Sequence, residues 1–417
     1  MSEIKPFRAV IYNKDRIKDL SKVISPPYDI ISDTLQDKLY RLSPHNIVRL
    51  ILGKIDPSDS AGDNRYTRAV REFDDWRRSG IMVRDQKDAI YVYSQSYKKS
   101  GKAVEQIGFL ALFGLTGSMI LPHENTLAAP KKDRLELMRA TKANLEPIFV
   151  LYGDKKHALT GLLKTAQRQS KPFIDVVYEN VRHRAWRVDD SAAIKKILSL
   201  ASKKEMFIAD GHHRFEVAKM FNEEAKTKDS GYMMIYFVEA DEKMLTVLPA
   251  HRIIKDAGGL TEKEMLEKLE PFFRIKKAAT LTAMMSALEK KKNIHTFGMY
   301  AGGKNFYVLE LKDEKALDRA IADKPSEWKH LDVSILHLFI FQRVLGIRDE
   351  DDNIEFVKDP AAAVSAVKSG KFESAFFLNP TRPAQVIEIA KLGKRMPRKA
   401  TYFYPKPLSG LIINKFD

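Results

Sequence analysis

The 417-residue chain has no cysteine, which excludes disulfides, thiolate metal sites and a cysteine nucleophile. No apolar run approaches the length that spans a bilayer, and Met1-Ser2-Glu3-Ile4-Lys5-Pro6 opens the sequence without the apolar core of a secretory signal. No membrane partner is expected, and the expected compartment is the cytoplasm. Also missing are the Gly-x-x-x-x-Gly-Lys-Ser/Thr phosphate loop, the Rossmann glycine fingerprint and the protein-kinase signature set. A nucleotide site in this chain has to be built by another device.

The composition forms a core: 44% of residues are hydrophobic and 30% charged, as in globular proteins. At this length two domains are expected, with a soft boundary near residue 255 that gives regions 1–255 and 256–417. The formal net charge of +16 asks for an anionic partner. The cations are dispersed, and short runs such as Lys203-Lys204 and Lys290-Lys291-Lys292 read as solvated faces. A nucleotide or phosphorylated metabolite meets that charge with fewer contacts than nucleic acid, which is not the expected partner.

Strand-like and helix-like segments alternate, so the expected fold class is α/β in the broad sense, a mixed α+β layering. Strands are expected at Arg8–Tyr12, Ile47–Leu52, Ala89–Tyr97, Ile107–Leu115, Pro147–Tyr152, Met206–Ala209, Tyr232–Val238 and Leu245–Ile254. Helices are expected over Asp33–Leu42, Tyr66–Trp76, Lys132–Ala143, Glu262–Phe273, Leu281–Lys291 and Leu331–Val344. A hairpin turn is expected at Ser100-Gly101, two further strands at Thr296–Tyr300 and Asn305–Leu311, and a final one around Tyr402-Phe403-Tyr404. The flanking Lys399 and Lys406 are candidates to reach a nucleotide, although the simpler reading is of solvated lysines.

The richest stretch is Ala209-Asp210-Gly211-His212-His213-Arg214, between the buried strand ending at Ala209 and an amphipathic helix carrying Phe215, Val217, Ala218, Met220 and Phe221. An acid, two histidines and an arginine at a glycine turn before a helix describe an anion site, where N–H groups, the helix dipole and the arginine all favour phosphate. The bland reading is a helix capped by Asp210 with the other side chains in solvent. A second cluster, Pro122-His123-Glu124-Asn125-Thr126, offers Glu124 as a general base or magnesium ligand; alone, it also reads as a loop that caps the next helix. The Ser25-Pro26-Pro27-Tyr28-Asp29 loop is equally two-sided, and Asp133-Arg134 reads as an exposed charge pair.

Taken in order, Pro6-Phe7-Arg8-Ala9, Ser25–Asp29, His123–Thr126, Ala209–Arg214, Leu248-Pro249-Ala250-His251-Arg252, Leu331–His337 and Met396–Lys406 resemble the bacterial and archaeal family termed domain of unknown function 1015. The signature helix of that family more often opens with tyrosine where this chain has Phe215. The Asp-Gly-His-His-Arg turn in turn resembles that of the ParB/sulfiredoxin-like superfamily, which includes CTP-binding partition proteins, ATP-using sulfiredoxin and free-serine kinases. The resemblance implies a ParB/sulfiredoxin-like nucleotide-binding core in residues 1–255 with a second α/β region packed on it. It implies a small-molecule kinase that moves a phosphoryl group from ATP or ADP, with Mg2+, to the hydroxyl of free L-serine. Gly211, His212, His213 and Arg214 would hold phosphates, and Asp210 would orient them or a metal. Asp29, His123, Asn125 and Thr126 would line the substrate, with Glu124 as the base chosen on chemistry.

Three other readings stand beside it. His212, Glu216 and His123 suggest a transition-metal hydrolase. The basic charge suits a partition-protein-like nucleotide switch or DNA-associated protein, although no convincing helix-turn-helix is present. A non-catalytic binder of an anionic ligand fits as well.

Overall fold

The structure is a computed structural model that describes residues 3–99, 101–117, 120–124, 126, 128–241, 243–321, 324–348, 353–397 and 399–417. It divides into two compact units, Met1–Thr246 with Pro405–Asp417, and Val247–Tyr404.

The first unit is built on a mixed nine-stranded sheet. Along it run Ile120–Leu121, Met206–Asp210, Ile148–Tyr152, Tyr232–Glu239, Lys102–Gly114, Ile90–Lys99, Val181–Val188 and Ile174–Tyr178, and Ile4–Lys5 also pairs with Lys102–Gly114. The central strands are buried on both faces, hence their unbroken apolar runs. Gly108 is where two of them approach: a Cβ there would lie 2.2 Å from the Phe237 carbonyl oxygen. Ile90–Lys99 and Lys102–Gly114 form the expected hairpin, with Lys99 opposite Lys102 and Gly101 at φ +78°.

Helix His212–Ala225 buries Phe215, Val217, Ala218 and Phe221 in this sheet's core, and helix Ala128–Thr141 contributes Leu135 and Met138 to it. Helices Asp33–Leu42 and Arg65–Arg78 stand where the periodicity places them, the first capped by Ser32 and the second by Asn64.

The apolar run at 47–52 is not a strand. Residues Val48–Ile51 form a single helical turn, started by the Asn46 side chain, which accepts the Val48 N–H at 2.9 Å. So short an apolar run, with Ile47, Val48, Leu50 and Ile51 all buried, carries no periodicity to separate the two forms.

The second unit is a six-stranded antiparallel sheet in the order Phe273–Ala278, Phe306–Leu311, Thr296–Tyr300, Ser374–Leu378, His251–Ile254, Ile354–Val357. Helices Leu281–Lys290 and Pro360–Lys368 cover one face through Met284, Leu288, Val364 and Val367. The helix expected over Glu262–Phe273 stops at Leu269, and Phe273 already starts a strand. The strand expected over Leu245–Ile254 is two short ones, Thr246–Val247 and His251–Ile254. The apolar helix near 331–344 is present as Asp332–Ser334 continued by a π-wound segment, Ile335–Leu345.

Candidate active site

Topology explains why residues 122–124 and 210–214 meet. Strands Ile120–Leu121 and Met206–Asp210 lie side by side and parallel, with Ile120 opposite Met206 and Leu121 opposite Phe207. The chain therefore leaves both at the same edge, the position where α/β sheets place ligands. Strand Ile148–Tyr152 runs antiparallel to Met206–Asp210, so its start, Glu146-Pro147, reaches that edge too. The ladder slips between Ile208 and Asp210, and this irregularity re-aims Asp210 as the strand ends.

Gly211 then turns the chain at φ +94° and serves as N-cap, where it offers no side-chain acceptor of its own. The first intrahelical bond is Phe215 N–H to Gly211 O at 3.0 Å. The N–H groups of His212, His213 and Arg214 thus precede the ladder, as in helix starts that take anions. Asp210 does not cap. Its Oδ2 accepts from Arg214 Nη2 at 2.8 Å, and its Oδ1 from the Lys406 ammonium.

Arg214 is turned inward. Its Nη1 donates to the Pro147 carbonyl at 2.7 Å, and the guanidinium lies under Gly211, where an added Cβ would sit 3.1 Å from Nε. Burial opposes its charge, but the Glu146, Asp210 and Asp29 carboxylates outweigh burial and raise its pKa. Glu146 is itself buried and accepts the Tyr28 N–H at 3.0 Å and the Ser409 hydroxyl at 2.8 Å. Tyr28 has its hydroxyl pKa raised by burial, against the pull of Arg134 and Arg214. Asp29, next to it, is exposed.

The second cluster adjoins the turn. The His123 N–H donates to His212 Nε2 at 3.3 Å, and the two imidazoles meet edge to face with centroids 4.6 Å apart. Glu124 Oε2 is 3.6 Å from His212 Nδ1 and its Oε1 is 3.9 Å from His123 Nε2. Both histidines are buried, whereas the Glu124 side chain keeps 30% of its surface exposed. His213 and Thr126 are half-buried. Asn125 lies outside the described residues. Among the described residues no group of three or more histidines and carboxylates has the arrangement of a metal site.

Four residues around this edge escape sequence reasoning. Lys406, read as a solvated lysine, has a side chain only 8% exposed on Asp210. Glu146 signals itself only as a lone acid in an apolar stretch. Asp133 and Arg134 are not an exposed pair: Asp133 accepts from the Tyr66 hydroxyl at 2.8 Å and from Arg65, while buried Arg134 lies 4.1 Å over the Tyr28 ring.

A model of the family described as protein of unknown function, DUF1015, matches residues 4–334. The chain belongs to the DUF1015 family. No curated protein matches it. Among solved structures, a free serine kinase variant in complex with AMP aligns at 12% identity over 70% of this chain and 87% of that one, with a TM-score of 0.36. A conserved hypothetical protein from Pyrococcus furiosus aligns at 13% identity over 73% and 94%, with a TM-score of 0.35. SbnI with a C-terminal truncation, from Staphylococcus aureus, aligns at 10% over 72% and 85%, at 0.34. Overlaps this low carry no weight for this DUF1015 member's chemistry, which has to be argued from its own residues.

Proposed function

We propose that this DUF1015 member is a cytoplasmic phosphotransferase on a ParB/sulfiredoxin-like core within residues 1–255, a kinase moving a phosphoryl group from ATP or ADP to a small hydroxyl compound. Free L-serine, giving O-phospho-L-serine, is the acceptor that the motif resemblance implies. The observation that carries the reading is the partly exposed Glu124, 3.6 Å from His212, the first residue of a helix that begins at a glycine turn. A carboxylate base and a phosphate cradle thereby share one edge. Phosphoryl transfer needs little more: neutralised phosphate charge, an aligned hydroxyl and a base for its proton.

In this account the N–H groups at 212–214 and the helix dipole hold phosphate oxygens, with His213 beside them. Glu124 takes the proton of the serine hydroxyl as its oxygen attacks phosphorus and the nucleotide leaves. His212 and His123 fix the carboxylate, and Asp29, Asn125 and Thr126 contact the acceptor. Asp210, whose two oxygens are engaged by cations, anchors those cations and is not the base. A magnesium ion would supply charge neutralisation between phosphates and one or two carboxylates. Glu124 is the carboxylate open to that donor set because 30% of its side chain is exposed, whereas Asp210 is held between Arg214 and Lys406.

Phosphorus NMR of the purified protein with magnesium, ATP or ADP, and a panel of hydroxyl amino acids tests the reading. A new phosphomonoester signal at the position of O-phosphoserine is expected. Unconsumed nucleotide with every acceptor would contradict it.

A further inference from the structure

Lys406 sits where a lysine is costly. Its stem loses up to ~2 kcal/mol of rotamer entropy on ordering, and its ammonium leaves water. The backbone there is clamped. Pro405 and Pro407 flank it, and the second restricts Lys406 itself to extended conformations. Buried Gln95 donates to the Lys406 carbonyl at 2.9 Å, and is held in turn by Gln106 at 2.8 Å. Three residues on, Ser409 exchanges backbone bonds with Ser25 at 3.3 and 2.9 Å and caps Glu146. The result is a rigid strap that delivers one ammonium to Asp210.

Charge pairing alone does not require it, since Asp210 already has a cation in Arg214. The two cations differ in kind. Arg214 is a planar fork fixed by Pro147 and Asp210, buried under the glycine turn. Lys406 is a point charge on a four-carbon stem, and an ammonium with three donors can bridge a carboxylate and a phosphate oxygen.

We propose that Lys406 is a phosphate-binding residue of this site, supplied by the C-terminal segment. Asp210 positions its ammonium, which bridges that carboxylate and a phosphate oxygen of the nucleotide at the Gly211 turn. The inference rests on the phosphotransferase reading above.

Calorimetry of the full-length protein with ADP and with adenosine tests it. In Lys406→Met, ADP affinity should fall on the order of ten- to a hundred-fold while adenosine affinity stays within about twofold, the loss of one charge-assisted contact. Lys406→Arg, which keeps the charge, should recover part of the ADP affinity. Equal losses for both ligands would mark a structural role and overturn the proposal, as would unchanged ADP binding. If circular dichroism shows Lys406→Met unfolded, the Lys406 ε-methylene NMR signal of the wild type, assigned with Lys406→Arg, decides. It should shift with ADP and not with adenosine, and a signal unmoved by ADP overturns the proposal. Wild-type protein that binds no ADP removes the phosphotransferase reading and this one together, whereas normal wild-type binding with an indifferent variant removes only this one.

Discussion

The His123 N–H points at His212 Nε2, 3.3 Å away. A ring nitrogen that accepts cannot carry the proton, so neutral His212 holds it on Nδ1, the atom facing Glu124 at 3.6 Å. That separation is too long for a hydrogen bond in this state and short enough to become one with a small rotation. His212 is thus set to steady a negative Glu124 and to stabilise the carboxylate as substrate arrives. His212→Phe keeps an aromatic ring and removes both nitrogens. Turnover should drop by about tenfold or more, with nucleotide affinity little changed; full turnover in a folded variant would exclude His212 from the machinery.

Arg214→Ala is expected to be a stability variant. Read from sequence, this arginine reaches for phosphate. Its guanidinium instead bonds Pro147 and Asp210 inside the protein. Removing it strands buried acid charge, which costs about 3–5 kcal/mol. A large fall in the urea midpoint is expected, and a variant as stable as wild type would show that the inward bonds contribute little.

Gly211→Ala tests the turn. An alanine at φ +94° is strained by about 1–2 kcal/mol, and its Cβ would meet the Arg214 guanidinium at 3.1 Å. Lower melting temperature together with weakened ADP binding is expected. Wild-type ADP affinity would argue against phosphate lying on this turn.

Acid sensitivity should come partly from two histidines buried in neutral form. Burial lowers His183, whose Nδ1 is 2.6 Å from the Tyr93 hydroxyl, to about 3, and burial with the Arg252 charge lowers His251 to about 4. The unfolded chain protonates both near the ordinary value of 6.5, so between that pH and their folded values it binds more protons than the native state. Stability present above pH 6.5 is lost as pH falls, by about 1.4 kcal/mol per pH unit for each histidine. His183→Gln should flatten the fall in urea midpoint between about pH 6.5 and pH 4.5. An unchanged slope would contradict the assignment.

Local signals carried the sequence reading a long way. Helix Asp33–Leu42 was legible from its periodic run, and the hairpin because Gly101 interrupts two apolar strands. The turn at Asp210–Arg214 was legible as strand, glycine and helix. What escaped depends on distant partners. Arg134 is drawn inward by Tyr28 and by the Ile51 carbonyl, and Asp133 by Tyr66, 67 residues earlier. Lys406 is buried by Asp210, 196 residues away. The turn at Val48–Ile51 lacked any period, since Val48, Leu50 and Ile51 are all buried within four residues.

The claim that Glu124 does chemistry beside a phosphate site is tested most directly by Glu124→Gln. The amide keeps size and hydrogen bonding and removes the charge. Calorimetry should show ADP binding close to wild type, while phosphoryl transfer followed by phosphorus NMR falls on the order of 10²–10⁴-fold. A variant that binds ADP and still turns over at the wild-type rate would contradict the account.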